Sequence, residues 1–292
     1  MSMANSPFAL ENKDAYAKWR DTKMANYPEQ VGELVVEIRD VTAPTKAESD
    51  KIRALCRQTN MAVYASPPKK GPENAVALGA QFGLNRLDVP LLTGENGVTA
   101  LTVSSDGRRT AYIPYTTRPI AWHTDGYYNL PTEQIRGLLL YCEQPAMEGG
   151  VSELMDHEVA YIMLREEDPA YIEALMRNDA MTIPPNEEGG TEIRGASTGP
   201  IFSVIAGNLH MRYTIRKRYI EWSTAPEVER ARQRLLEILG APSPYKYEHK
   251  LDAGQGLISN NVLHTRSGFE DSDEKDKKRL LYRARYLDRV NS

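Results

Sequence analysis

From Val98 to Tyr286 the chain consists largely of short β-compatible runs at irregular spacing, broken by helical segments. Few folds can use that pattern. The runs are Val98–Val103, Arg109–Ile113, Ile120–Thr124 and Gly137–Glu143, then Ile201–Ile205, Leu209–Thr214, Tyr245–Leu251, Gly256–Ser259 and Arg279–Tyr286. Helical periodicity covers Asp156–Leu164, Pro169–Arg177 and Thr224–Leu239. The last of these has Thr224 as its expected cap, Pro226 in its first turn and Gly240 at its end. A βαβ array would alternate strands and helices regularly, and neither a Rossmann nor a P-loop glycine signature is present. The pattern suits an antiparallel sandwich or jelly roll instead. The expected fold class is therefore mainly β with α insertions, an α+β chain on a jelly-roll barrel.

The first hundred residues mix both elements. Asp14–Ala25 reads as a helix ending at Tyr27-Pro28, and Val35–Arg39 as a short strand. Thr45 and Glu48 form a capping-box pattern for a helix reaching about Arg57, with Ile52, Leu55 and Cys56 on its apolar face. Met61–Ala65 then resembles a buried strand. One domain over 1–292 is expected: a mixed part, 1–100, packed on a barrel, 101–292, with a helical insert over about 156–240.

Composition removes several classes. A net charge of −4 argues against a nucleic-acid partner, which needs a concentrated basic surface. No run of about 18 apolar residues predicts a membrane span, and the first residues lack the pattern of a secretory signal. A cytoplasmic protein acting on a small molecule is expected, with homo-oligomers allowed. Cys56 and Cys142 have no paired spacing and read as buried small hydrophobes, so any metal must be held by nitrogen and oxygen.

The run RPIAWHTDGYYN, 118–129, supplies such donors. On a strand, His123 and Asp125 share a face, whereas on a helix they would diverge. His264, just beyond a short apolar strand, is the candidate third ligand. Two histidines and one carboxylate leave open positions on an ion, the arrangement of non-haem Fe(II) oxygenases. The same residues also fit a hydrogen-bonded pair and a turn cap, and spacing alone leaves both readings open. Near the C-terminus, RLLYRARY alternates Arg279, Leu281, Arg283 and Arg285 with Leu280, Tyr282, Ala284 and Tyr286. Either the arginines lie in water, or Arg279 points inward to a bound carboxylate. Trp122, Tyr127 and Tyr128 read as packing rather than a cation box. Arg212, Arg216 and Arg218 are mostly surface charge, some of them available to a substrate carboxylate.

Together, WHTDGYYN, EGGVSEL, GQGLISNNVLHTRSGF and RLLYR resemble the taurine dioxygenase and clavaminate synthase-like superfamily of Fe(II)/2-oxoglutarate oxygenases, in the family's order from Arg118 to Tyr286. The resemblance implies a double-stranded β-helix with iron held by His123, Asp125 and His264. It implies that Arg279 holds the distal carboxylate of 2-oxoglutarate, assisted by Ser152, and that Arg283 lies near the cosubstrate or an anionic substrate group. Fe(II), 2-oxoglutarate and O2 are the implied cofactors, with succinate and CO2 released as a small polar, amino-acid-like or anionic substrate is oxidised. Hydroxylation is the expected outcome, with desaturation and ring closure as alternatives within the class. A jelly-roll module that only binds a metal or ligand is the alternative outside it. The loop from His264 to Arg279 is longer than in compact taurine enzymes, which speaks against taurine, and Asp125 speaks against halogenation.

Overall fold

Every residue of the strand Met61–Ala65 is buried, as its unbroken apolar run predicts for a strand covered on both faces. The computed structural model that shows this describes residues 6–89, 97–104, 107, 110, 112–216, 220–274 and 277–291. The chain divides into two units, each made of discontinuous segments.

The larger unit takes 28–121, 135–154 and 246–292. Its main sheet runs, in order, Val35–Glu37, Met61–Ala65, Gln255–Ser259, Gly137–Gln144, Leu280–Tyr286 and Thr99–Leu101. The first pair is parallel, and the other pairings are antiparallel. Two helices pack on it. Lys46–Thr59 starts at the expected capping box, with Thr45 and Glu48 satisfying each other's backbone N–H groups, and ends on Asn60 in the left-handed region. Glu73–Gln81 was not foreseen: it is short, lacks a side-chain cap, and its buried residues, Asn74, Ala75, Leu78 and Gly79, include one large aliphatic side chain rather than a stripe of them. Gly79 is required there, since a Cβ would lie 2.6 Å from the Tyr286 hydroxyl oxygen. Ile52, Cys56, Leu78, Tyr141, Ile258, Ala284 and Tyr286 join in one core. Both cysteines are buried and free, as expected.

A second sheet orders Lys246–His249, Ser152–Met155, Leu263–Arg266 and Ile120–His123. Among the described residues neither sheet closes into a barrel; the architecture observed is a mixed α/β chain with several sheets and six α-helices. The strand expected over Val98–Val103 contracts to Thr99–Leu101. That over Arg109–Ile113 falls largely outside the described residues, and Ile113 opens a 3-10 turn.

The smaller unit takes 1–27, 122–134 and 155–245. Its helices are Lys13–Met24, His157–Glu167, Pro169–Leu175 and Pro226–Gly240, the first three capped by Asn12, Asp156 and Asp168. The expected cap of the fourth is corrected. Ala225 occupies that position, without a side-chain hydrogen bond, because Pro226 starts the helix one residue later than the threonine would allow. Phe8, Trp19, Tyr161 and Phe202 meet edge-on in its core. Beside them the buried Lys23 ammonium pairs with Asp156 at 2.7 Å and Glu158 at 2.5 Å.

Candidate metal centre

The segment carrying His123 and Asp125 is knitted to 212–215 by backbone bonds. His123 ends the strand Ile120–His123 and bridges to Thr214. On either side, Ile215 N–H donates to the Trp122 carbonyl at 3.0 Å and Thr124 N–H to that of Tyr213 at 2.9 Å. The Thr124 hydroxyl oxygen accepts from Tyr213 N–H at 3.0 Å. The expected strand therefore stops one residue short of Thr124, and Asp125 opens a turn. Gly126 follows with φ +65°, a left-handed conformation that reverses the chain cheaply only at glycine. A strand end plus a turn, rather than strand alternation, sets the pair with His123 Nε2 3.9 Å from Asp125 Oδ1. Asp125 is buried, which for a carboxylate demands compensation by a proton, a cation or hydrogen bonds.

Arg212 stiffens this turn. It is buried, and its guanidinium donates to the carbonyls of Tyr127 at 2.9 Å, Met181 at 2.8 Å and Ser197 at 3.0 Å. Burial, then the positive charge of Arg194, pushes its pKa down to about 10. Arg216 is exposed, as expected of surface charge, and Arg218 lies outside the described residues. Tyr127 and Tyr128 stack edge-on, ring centroids 5.3 Å apart.

His264 lies beyond the apolar strand Gln255–Ser259, as expected, but inside a further strand, Leu263–Arg266, that was not expected. Four residues with three polar ones carry too little periodicity to reveal a strand. Its Nδ1–H donates to the Val262 carbonyl at 2.9 Å, which leaves Nε2 as the lone-pair nitrogen. His123, Asp125 and His264 each offer one donor atom, and these atoms all lie within 4.8 Å of one another. Two imidazole nitrogens and one carboxylate oxygen suit a first-row divalent ion such as Fe(II). Two other histidines have separate polar partners: His157 Nε2 donates to the Leu209 carbonyl, and His249 bonds to Gln255.

Arg279 is buried just before the strand Leu280–Tyr286. Its guanidinium carbon sits 4.9 Å from the Phe269 ring centroid, and its Nη1 is buried without a hydrogen-bond partner. Burial holds its pKa below the usual arginine range. Such an arginine has a fork available to a carboxylate. Gly150, at φ +72°, lies beside it; a Cβ there would be 3.9 Å from Arg279 Nε and 3.7 Å from Phe269 Cβ. Two residues on, Ser152 begins the strand Ser152–Met155 and is half-buried. Along Leu280–Tyr286, Ala284 and Tyr286 belong to the core and Tyr282 packs against it, as the alternation predicts. The arginines are not simply in water. Arg285 is buried and pairs with Asp88 at 2.5 Å, while Arg283 is half-buried.

Arg266 escaped the sequence reading. It is buried, and its fork donates to the carbonyls of Pro114 at 3.3 Å, Thr116 at 2.8 Å and Arg118 at 2.5 Å. Burial, then repulsion from Arg279, pushes its pKa down to about 9. The available signal was its position two residues after His264, on the same face of a strand.

Comparison with known proteins bears on this chemistry. The model of the family described as taurine catabolism dioxygenase TauD, TfdA, matches residues 22–285. A uridine-5'-phosphate dioxygenase from Streptomyces sp. is 31% identical over 220 residues, 71% of this chain and 76% of that enzyme. Another, from Amycolatopsis sp., is 32% identical over 183 residues, 59% of this chain; the match spans only 62% of that enzyme's length. Among solved structures, an asparagine oxygenase in complex with Fe(II), 2S,3S-3-hydroxyasparagine and succinate aligns with a TM-score of 0.60 at 14% identity. That alignment covers 85% of this chain and 81% of the other, a likeness of fold.

Proposed function

Because the chain belongs to the taurine catabolism dioxygenase family, TauD and TfdA, we propose that it is an Fe(II)/2-oxoglutarate-dependent dioxygenase hydroxylating a small polar, anionic substrate. The observation that carries this reading is the group of three donors, His123, Asp125 and His264, within 4.8 Å of one another. These residues would hold the ion through His264 Nε2, one nitrogen of His123 and a carboxylate oxygen of Asp125. Arg279 would take the distal carboxylate of 2-oxoglutarate on its unpartnered Nη1, with the Ser152 hydroxyl as a second donor. Arg283 would face the substrate's anionic group or the cosubstrate's other carboxylate. Bound Fe(II), with 2-oxoglutarate and O2, supplies the oxidising power, and succinate and CO2 leave. The residues of this chain hold the donor geometry, orient the cosubstrate and keep bulk water from the reacting atoms.

The two uridine-5'-phosphate dioxygenases support an anionic, nucleotide-like substrate over taurine. The unbroken family match supports one oxygenase domain. The six- and four-stranded sheets, together with the fold likeness, support a double-stranded β-helix. No helix of the described residues is long and apolar enough to cross a membrane.

The test is anaerobic addition of Fe(II) and then 2-oxoglutarate. The wild-type protein should develop a weak visible charge-transfer band; His123→Ala, Asp125→Ala and His264→Ala should not, with far-UV dichroism unchanged. A band persisting in all three variants refutes the reading. Succinate release across a panel including uridine 5'-phosphate then identifies the substrate class.

A further inference from the structure

Two buried guanidinium groups share one aromatic ring in the larger unit. The guanidinium carbons of Arg266 and Arg279 each lie 4.9 Å from the Phe269 ring centroid, within cation–π range. The positive charge that bears on Arg266 is that of Arg279. The acidic group bearing on Arg279 is Asp271, whose Oδ1 accepts the Arg279 backbone N–H at 2.6 Å. Two cations thus lie at one ring, and one carboxylate bears on the second of them. The two cations are committed differently. Arg266 spends Nη1 and Nη2 on the carbonyls of Pro114, Thr116 and Arg118, which hold its fork in place, and only its Nε is buried without a partner among the described residues. Arg279 keeps Nη1 buried and without a partner. A fixed cation behind a free one raises the potential at the free one's fork, and low local polarity makes that potential count. The arrangement lacks one negative charge.

Building on the proposed oxygenase reading, we infer that Arg266 is a specificity-determining residue: its fixed charge makes the pocket select a 2-oxo acid with a second carboxylate over one with an apolar end. A neutral chain end placed there would leave the net positive charge of the pair unbalanced, at the cost of a buried unpaired ion. The distal carboxylate of a dicarboxylic 2-oxo acid supplies the missing charge. Arg266 also joins the strand of His264 to the segment leading into Ile120–His123, a positioning role that rests on its hydrogen bonds rather than its charge.

The experiment measures equilibrium binding, without turnover, of 2-oxoglutarate and of 2-oxopentanoate, which ends in a methyl group instead of the second carboxylate. Titrations are anaerobic, on the Fe(II)-loaded protein. In Arg266→Gln, affinity for 2-oxoglutarate should fall about tenfold, the ratio equivalent to one pKa unit of differential interaction. Affinity for 2-oxopentanoate should stay within about threefold, inside the scatter expected of individual interactions. Arg266→Lys keeps the charge but cannot reach three carbonyls, so its selectivity should stay near wild type while its Tm falls. Unchanged selectivity in a folded Arg266→Gln overturns the proposal. Should Arg266→Gln fail to fold, Arg266→Lys decides: loss of selectivity there overturns the charge argument, and retention upholds it. Arg279→Gln separates the two levels. If it leaves 2-oxoglutarate binding intact, the cosubstrate assignment itself fails; if it abolishes binding while Arg266→Gln stays selective, only the role of Arg266 falls.

Discussion

Replacing Arg212 with leucine should loosen the turn that presents Asp125. The wild-type guanidinium satisfies three carbonyls, those of Tyr127, Met181 and Ser197, from a fully buried position. Leucine cannot donate, so three acceptors lose their charge-assisted partners. Each buried acceptor left without one costs about 1–3 kcal/mol. Against that, the arginine's own desolvation is relieved, which its depressed pKa of about 10 shows to be substantial. Leucine also leaves a void where the longer side chain packed. The net expectation is a loss of about 2–4 kcal/mol, a Tm drop of about 3–7 °C for a protein of this size. Because Tyr127 lies two residues after Asp125, Fe(II) affinity should fall about tenfold, or 1.4 kcal/mol of donor misplacement. Calorimetry gives the first quantity and anaerobic metal titration the second. Arg212→Lys, able to reach fewer carbonyls, should fall between. A Leu variant with Tm within about 2 °C of wild type and unaltered Fe(II) affinity would show that the turn holds itself, and would refute the clamp.

Two further outcomes are expected. In Arg283→Gln, loss of substrate-coupled turnover with substrate-free decarboxylation of 2-oxoglutarate retained assigns Arg283 to the substrate; loss of both assigns it to the cosubstrate, and no change removes it from the site. The Lys69 ammonium and Thr42 hold the Asp40 carboxyl at about 2, below 3.8, so their contribution is present above the higher value and disappears as pH falls toward the lower. Asp40→Asn should flatten the acid limb of Tm against pH in that window, an effect that salt should shrink because both side chains are exposed.

Local signals carried much of the fold. The Thr45–Glu48 box, the all-apolar Met61–Ala65 run and the alternation of Leu280–Tyr286 each encode their structure within a few residues, and each appears as expected. What failed depends on partners distant in sequence. The helix Glu73–Gln81 sets Gly79 against Tyr286, a contact 207 positions away that no local pattern contains. Lys23 looks like a solvated helix residue until Asp156 and Glu158 arrive beside its ammonium.

The candidate site divides the same way. His123 and Asp125 could be paired from spacing because they lie on one short segment, although a turn rather than a strand brings them together. His264 required a separate strand: it follows Gln255–Ser259 as expected, but the strand Leu263–Arg266 that carries it was not legible. The supporting arginines were the hardest to read. Arg212 and Arg266 are each bonded to three backbone carbonyls, and a carbonyl exists at every position, so the sequence around the acceptors holds no trace of the bond. An arginine destined for backbone carbonyls is written like one destined for water. The difference lies in burial, since an interior guanidinium is costly unless most of its donors are met. Buried arginines held by carbonyls rather than carboxylates keep their positive charge uncancelled. That leaves the charge able to act on a bound anion, which is why these residues bear on function as well as stability.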